Sequence, residues 1–150
     1  MSDSNHAGPR YGKVDIDYAR KLATTEPDQD GPVWMINLMH YREAADYQDG
    51  QQSQISGREA DDIYSPVDVL AKIGAELVFV ADVDQQLLGK DPRWDRVAVV
   101  KYPTRKSFID MQQREDFQEK HVHKDAGMKS TIVMGGLPTS LPEMGEVSSV

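Results

Sequence analysis

Two apolar runs decide the fold: Glu76-Leu-Val-Phe-Val-Ala-Asp-Val83 and Asp95-Arg-Val-Ala-Val-Val-Lys-Tyr102. Each is short, rich in β-branched residues and free of a 3.6-residue period, so each reads as a strand. Gln85–Trp94 between them holds Gly89 and Asp91-Pro92, which reads as the loop of a hairpin. Working outward, Val33-Trp-Met-Ile-Asn-Leu-Met-His-Tyr41 is a third apolar run without helical period. It reads as a strand with both faces buried, apart from Asn37. Met128–Gly135 reads as a fourth strand.

Helices fill the gaps. Ser56-Gly-Arg-Glu59 has capping-box spacing. A second start signal follows, with Ser65 as cap, Pro66 at the first helical position and Asp68 in the first turn. Val67, Leu70 and Ile73 form an apolar stripe, and Gly74 is the stop. The spacing predicts a helix over 57–73, kinked near Pro66. Thr104 caps a second helix, with Phe108, Met111 and Gln112 on one face, running to about Lys120. Val14–Thr25 reads as a short extra helix before Pro27, with Tyr18 and Leu22 on one face.

The order is β-α-β-β-α-β, the ferredoxin-like α+β arrangement: a four-stranded antiparallel sheet with both helices on one face. The expected division is an N-terminal extension over 1–30, a ferredoxin-like domain over 31–135 and a polar tail over 136–150. Residues 1–13 and most of the tail read as loop or disorder. The polar stretch 43–63 reads as an insertion. The sheet's uncovered face would be an apolar patch that needs a partner, and a second copy of the chain is the simplest one.

Composition narrows the function. The 150 residues contain no cysteine, which excludes thiol nucleophiles and disulfides. Seventeen Lys and Arg against 25 Asp and Glu give a net charge of −8. That balance argues against nucleic acid and anionic lipid as partners. No apolar run approaches a membrane span. Met1-Ser-Asp-Ser-Asn5 has no apolar signal core, so a cytoplasmic protein is expected.

The topology gathers polar residues at one end of the sheet. The first strand ends in His40, Tyr41 and Arg42, the hairpin supplies Arg93, Trp94 and Asp95, and the second helix ends in His121 and His123. On a helix, His121 and His123 would point about 200° apart. Either could serve as a general acid or base near neutral pH, or cap a solvated helix end. Asn37, a carboxamide in an apolar strand, must be hydrogen-bonded if buried. It would polarise a carbonyl or satisfy a backbone group. Tyr41 would orient or stabilise charge beside it. His40 and Arg42 share a face at the strand end, and Arg42 could clamp a carboxylate. Tyr64, Trp94, Phe108 and Met111 would border an apolar pocket. Asp61 lies in a Glu59–Asp62 charge run, usually a solvated face. His40, His121 and His123 could converge on a metal, but no close ligand motif is present and none is expected.

Further residues carry a resemblance. Gly31-Pro-Val-Trp-Met-Ile-Asn-Leu-Met-His-Tyr-Arg42, Ser56-Gly-Arg-Glu-Ala60, Ile73-Gly-Ala-Glu76, Trp94-Asp-Arg-Val97, Tyr102-Pro-Thr-Arg105, Phe108…Met111 and His121…His123…Ala126-Gly127 resemble the dimeric α/β-barrel family called domain of unknown function 1330. The resemblance covers about residues 31–135. It implies ferredoxin-like protomers paired sheet to sheet. The wider superfamily holds cofactor-free monooxygenases, isomerases, cyclases and haem enzymes, so fold alone does not choose.

The expectation is a cofactor-independent enzyme using histidine acid/base chemistry on a small, mostly apolar carbonyl compound. Isomerisation, hydration or elimination, and ring closure are the reactions in view. A non-catalytic ligand-binding homodimer and a cofactor-free monooxygenase are the alternatives.

Overall fold

A computed structural model describes residues 9–140. In chain order the strands are β1 (Val33–Tyr41), β2 (Glu76–Asp82), β3 (Arg96–Tyr102) and β4 (Met128–Gly136). The helices are α1 (Ile16–Ala23), α2 (Gly57–Tyr64), α3 (Val67–Lys72), α4 (Arg105–Met111) and α5 (Glu115–Gly127). The strands form one antiparallel sheet in the order β2-β3-β1-β4. The α+β architecture expected from the hairpin is therefore the one observed.

The local signals act as their chemistry requires. The Ser56 hydroxyl accepts from the Glu59 amide at 3.0 Å, while the Glu59 carboxylate accepts from the Ser56 amide at 2.9 Å. The Thr104 hydroxyl accepts from the Ser107 amide at 3.0 Å to start α4. Gly74 ends α3 at a φ of 76°, a conformation that L side chains resist. Asp30 reaches across the chain to α4, accepting from the backbone N–H groups of Arg105 and Lys106 at 2.8 and 3.1 Å.

Three expectations are corrected. The 57–73 helix is two helices, and Ser65 ends α2 instead of capping α3, with Pro66 in the cap position. The helix from Thr104 breaks at Gln112–Arg114, so His121 and His123 lie inside α5 and not at a helix end. Only one face of β1 is buried. Val33, Met35, Met39 and Tyr41 are buried, whereas the alternate residues Trp34, Ile36, Leu38 and His40 are partly exposed.

The covered face of the sheet builds the core, with Leu22, Val33, Met35, Leu70, Val100, Met111 and Phe117 in one cluster. On the other face, register places Phe79 and Met134 beside Ile36, through Val99 on one side and directly on the other. Phe79 is 53% exposed there. Segment 43–56 is not a loose insertion: Ala45, Tyr47 and Ile55 pack on Ala60 and Ala126. Beneath it, α2 and α5 cross closely. A Cβ on Gly57 would collide with the carbonyl oxygens of Arg42 and Gly127. Among the described residues no helix is long and apolar enough to cross a membrane.

Candidate functional site

Between the helices and the covered face of the sheet lies a cavity of about 650 Å³, large enough for a small organic ligand. Its walls are mostly apolar: Leu22, Met35 and Met39, with Phe108, Met111 and Phe117 opposite. Helix α1 contributes Tyr18, Ala19 and Leu22 to one wall. Polar groups enter it where α5 passes the N-terminal segment, and Asn37, Asp61, Asp62 and Arg96 line it as well.

That segment is part of the site. The Arg10 guanidinium donates from Nε to the Asp125 carboxylate at 3.0 Å, from Nη1 to the Asp46 carboxylate at 3.0 Å, and from Nη2 to the Asp46 and Asp125 carbonyls at 2.7 and 2.9 Å. The Tyr11 carbonyl accepts from the Thr131 amide at 2.8 Å, adding the segment to the edge of β4. Tyr11 is consequently buried, although it belongs to a stretch that reads as tail. Its hydroxyl lies 2.7 Å from His121 Nε2.

The two groups of this pair are tuned together. Burial and the Asp125 charge push the Tyr11 phenol up, so it stays protonated. Burial and then the Lys124 ammonium push the His121 imidazole down, against a smaller opposing effect of Asp125. The imidazole is therefore neutral near pH 7, the state a general base requires. Tyr64 and Phe117 flank the His121 ring, with centroids at 6.1 and 5.5 Å.

Lys124 completes the cluster one helical turn after His121. The residue is half-buried, with its ammonium over the rings of Tyr11 and Tyr64, 5.6 and 5.3 Å from their centroids. Burial pushes its pKa down, opposed by the charge of Asp61. Burial, the first cause, together with neighbouring phenols and Asp61, keeps Tyr64 protonated.

A second network closes on itself beside the first. The Tyr41 hydroxyl donates to Asp61 Oδ2 at 2.6 Å, and Arg96 Nη1 lies 3.4 Å from the same oxygen. Arg96 also pairs with Asp62 at 3.3 Å and Asp82 at 3.0 Å, and Arg58 pairs with Asp82 as well. Asp61 is buried, and its charge is matched by Arg96. Burial and the Asp61 charge push the Tyr41 phenol up. Tyr41 thus holds Asp61 and α2 in place and is not among the residues lining the cavity.

The sequence candidates divide accordingly. His121, Asn37, Tyr64, Phe108 and Met111 line the cavity. Asn37 Nδ2 donates to the carbonyls of Met35 and Ala98, both at 3.2 Å, so its amide serves the backbone. His123 points elsewhere, its Nδ1 lying 2.7 Å from the Tyr47 hydroxyl. His40 is on the opposite face of the sheet. Arg42 acts through its backbone, donating to the Gly127 carbonyl at 2.8 Å and accepting from the Gly57 amide at 3.0 Å. Trp94 sits in the hairpin loop, where its amide donates to the Gln86 side chain at 2.8 Å. The three histidines do not converge, and among the described residues no group of His, Asp and Glu could hold a metal ion.

Two crystal structures resemble this arrangement of elements. One is of the methylated RPA0582 protein, with a TM-score of 0.76 over 90% of this chain and 98% of that one. The other, of RPA0582 described as a protein of unknown function from Rhodopseudomonas palustris, has a TM-score of 0.73 over 89% and 99%. The chain shares their fold. At 24% identity in each case the likeness concerns the fold alone. No family model and no curated protein matches the chain.

Sequence reasoning missed Tyr11, Lys124 and Arg96, and set Asp61 aside as surface charge. Helical spacing carries the signal for two of them. Gly57, Ala60, Asp61 and Tyr64 share one stripe of α2, and Phe117, His121 and Lys124 share one stripe of α5. An acid and a lysine among apolar stripe positions are buried charges. For Tyr11 no local signal exists, because its place is set by Arg10 reaching residues 36 and 115 positions away.

Proposed function

We propose that the chain is a cofactor-independent enzyme that moves a proton on a small, mostly apolar carbonyl compound, in isomerisation, hydration or elimination, or ring closure. The observation that carries this reading is the Tyr11–His121 pair at 2.7 Å on the wall of an apolar cavity. A neutral imidazole takes a proton from carbon next to the carbonyl, and the Tyr11 hydroxyl, kept protonated by burial, returns one to oxygen or carbon. Both groups belong to the protein and the step consumes no oxidant. His121 is assigned as base and Tyr11 as acid; Tyr41 and Asn37 position the scaffold.

We further infer that the chain belongs to the dimeric α/β-barrel proteins near domain of unknown function 1330, paired through the open sheet face. Exposed Phe79 and Met134 beside half-buried Ile36 support this. Light scattering at micromolar concentration would return twice the chain mass; the mass of one chain overturns the pairing.

Turnover is tested by NMR, following loss of the α-protons of small aryl ketones, enones and oxo acids in D2O. The expected result is accelerated exchange for members of the set, with no oxygen uptake. No acceleration over the whole set overturns the enzyme reading and leaves ligand binding. Oxygen uptake instead assigns a monooxygenase.

A further inference from the structure

The Asp61 and Asp125 carboxylates of the site each face an opposite charge, and the one buried side-chain polar atom without a partner among the described residues is Arg42 Nε, outside the cavity lining. Asp61 faces Arg96 at 3.4 Å, and Arg96 also holds Asp62 and Asp82. Asp125 holds Arg10 at 3.0 Å. The Lys124 ammonium, in the same cavity, makes no ion pair within 4 Å and no hydrogen bond among the described residues. It lies over the rings of Tyr11 and Tyr64.

Two aromatic faces return part of the hydration an ammonium loses, but they leave its three N–H donors without acceptors. A half-buried ammonium on the wall of an apolar cavity in that condition keeps its donors for what enters the cavity. What completes an ammonium is an anion that accepts hydrogen bonds, and a carboxylate fits best in a cavity otherwise lined by Met, Leu and Phe. Lys13 also lines the cavity but is exposed, and the charge of the Arg96 guanidinium is matched by three carboxylates. Lys124 is thus the half-buried cation of the cavity that no carboxylate among the described residues pairs with.

We infer that the cavity binds a small carboxylic acid with an apolar body, its carboxylate seated on the Lys124 ammonium between Tyr11 and Tyr64. This rests on the reading of the cavity as a substrate site and narrows the carbonyl compound to one that also bears a carboxylate. Lys124 follows His121 by three residues on one face of α5. A carboxylate held there places the neighbouring carbons of the ligand beside the Tyr11–His121 pair. An oxo acid would therefore present its acidic C–H at the base.

The experiment is calorimetric titration with two matched pairs, 3-phenylpropanoate against 3-phenylpropanamide and hexanoate against hexanamide. The acid and amide of each pair have the same apolar body and differ in charge. Wild type is expected to bind each acid at least 10-fold tighter than its amide. Lys124→Met is expected to bring the ratio close to one, and Lys124→Arg to retain a preference of several fold. Thermal unfolding of each variant shows that it is folded.

An acid that binds no tighter than its amide overturns the proposal, and so does the absence of binding by all four compounds. A preference that survives Lys124→Met places the anion elsewhere and overturns it too. Borohydride trapping with phenylpyruvate is run alongside: a reduced imine on Lys124 would make the side chain a neutral nucleophile and overturn the ion pair. The two readings fail separately. Proton exchange on neutral ketones with no preference for acids refutes this inference alone. Acids held by Lys124 without any proton exchange refute the catalytic reading alone.

Discussion

Replacing Lys124 by Met should stabilise the empty protein. The ammonium lines the mostly apolar cavity over two tyrosine rings, with no hydrogen-bond acceptor among the described residues. Full burial without a partner costs a polar group about 1–3 kcal/mol in protein mutational data and a charged group more, and half-buried Lys124 bears part of that. Cation–π contact returns about 0.5–2 kcal/mol of that. Met keeps the length and apolar stem of the side chain and removes the charge, so the net gain is about 1–2 kcal/mol. For a chain of this size that corresponds to a rise in Tm of roughly 3–6 °C.

The gain has a pH signature. Burial holds the Lys124 pKa below its ordinary value in the folded state, so the unfolded chain binds more protons between the folded value and about 10.4. Wild-type stability therefore rises with pH across that window, and the variant lacks this contribution. Calorimetric scans from pH 7 to pH 10 should show the variant ahead at pH 7 and the gap closing as pH rises. Tyr11, Tyr64, Asp61, Asp125 and His121, the other ionisable groups nearby, are present in both proteins. A Tm that falls on substitution at pH 7, or a gap independent of pH, would refute the claim of a partly desolvated ammonium without an acceptor.

Other outcomes follow from the same structure. Asp61→Ala removes the acceptor of the Tyr41 hydroxyl and one of three carboxylates around Arg96, and should cost about 2–3 kcal/mol in urea unfolding. In a double-mutant cycle Tyr41→Phe and Asp61→Ala should couple by about 1.5–3 kcal/mol; simple additivity would mean the bond contributes nothing. Gly57→Ala drives a methyl group into the backbone carbonyls of Arg42 and Gly127, which cannot swing away, and should cost about 3 kcal/mol or more. Gly135→Ala meets the hydroxyl end of the Tyr18 side chain, which can move, and should cost much less by the same denaturant measurement. Because the His121 pKa is depressed in the folded protein, stability should decline as pH falls from about 6.5 through the folded value. His121→Gln should flatten that part of the curve, and an unchanged slope would show that another group is responsible.

The fold was legible because its determinants are local. The Val33–Tyr41 run, the Ser56 and Thr104 caps and the Gly74 stop each act over a few residues, and each is where its chemistry puts it. The helix break at Gln112–Arg114 was not legible, since no Pro or Gly marks it. It lets α5 start afresh, with Phe117 in the core and His121 on the cavity. The division of the two histidines followed from helical geometry, which allows only one of His121 and His123 to face the sheet. Tyr11 was beyond local reading, because ion pairs to distant residues place it. Lys124 was legible in principle, three residues after a histidine on an apolar stripe, but lysine at a helix end usually means solvent.

The most direct test of the Tyr11–His121 assignment is the rate of α-proton exchange at pH 7 in wild type, His121→Gln and His123→Gln, with the substrate that the NMR set identifies. General acid/base catalysis contributes about 10²–10⁴-fold. His121→Gln is therefore expected to lose at least 100-fold, while His123→Gln, whose ring is engaged by Tyr47 away from the cavity, keeps wild-type rate. Equal rates in wild type and His121→Gln would contradict the assignment.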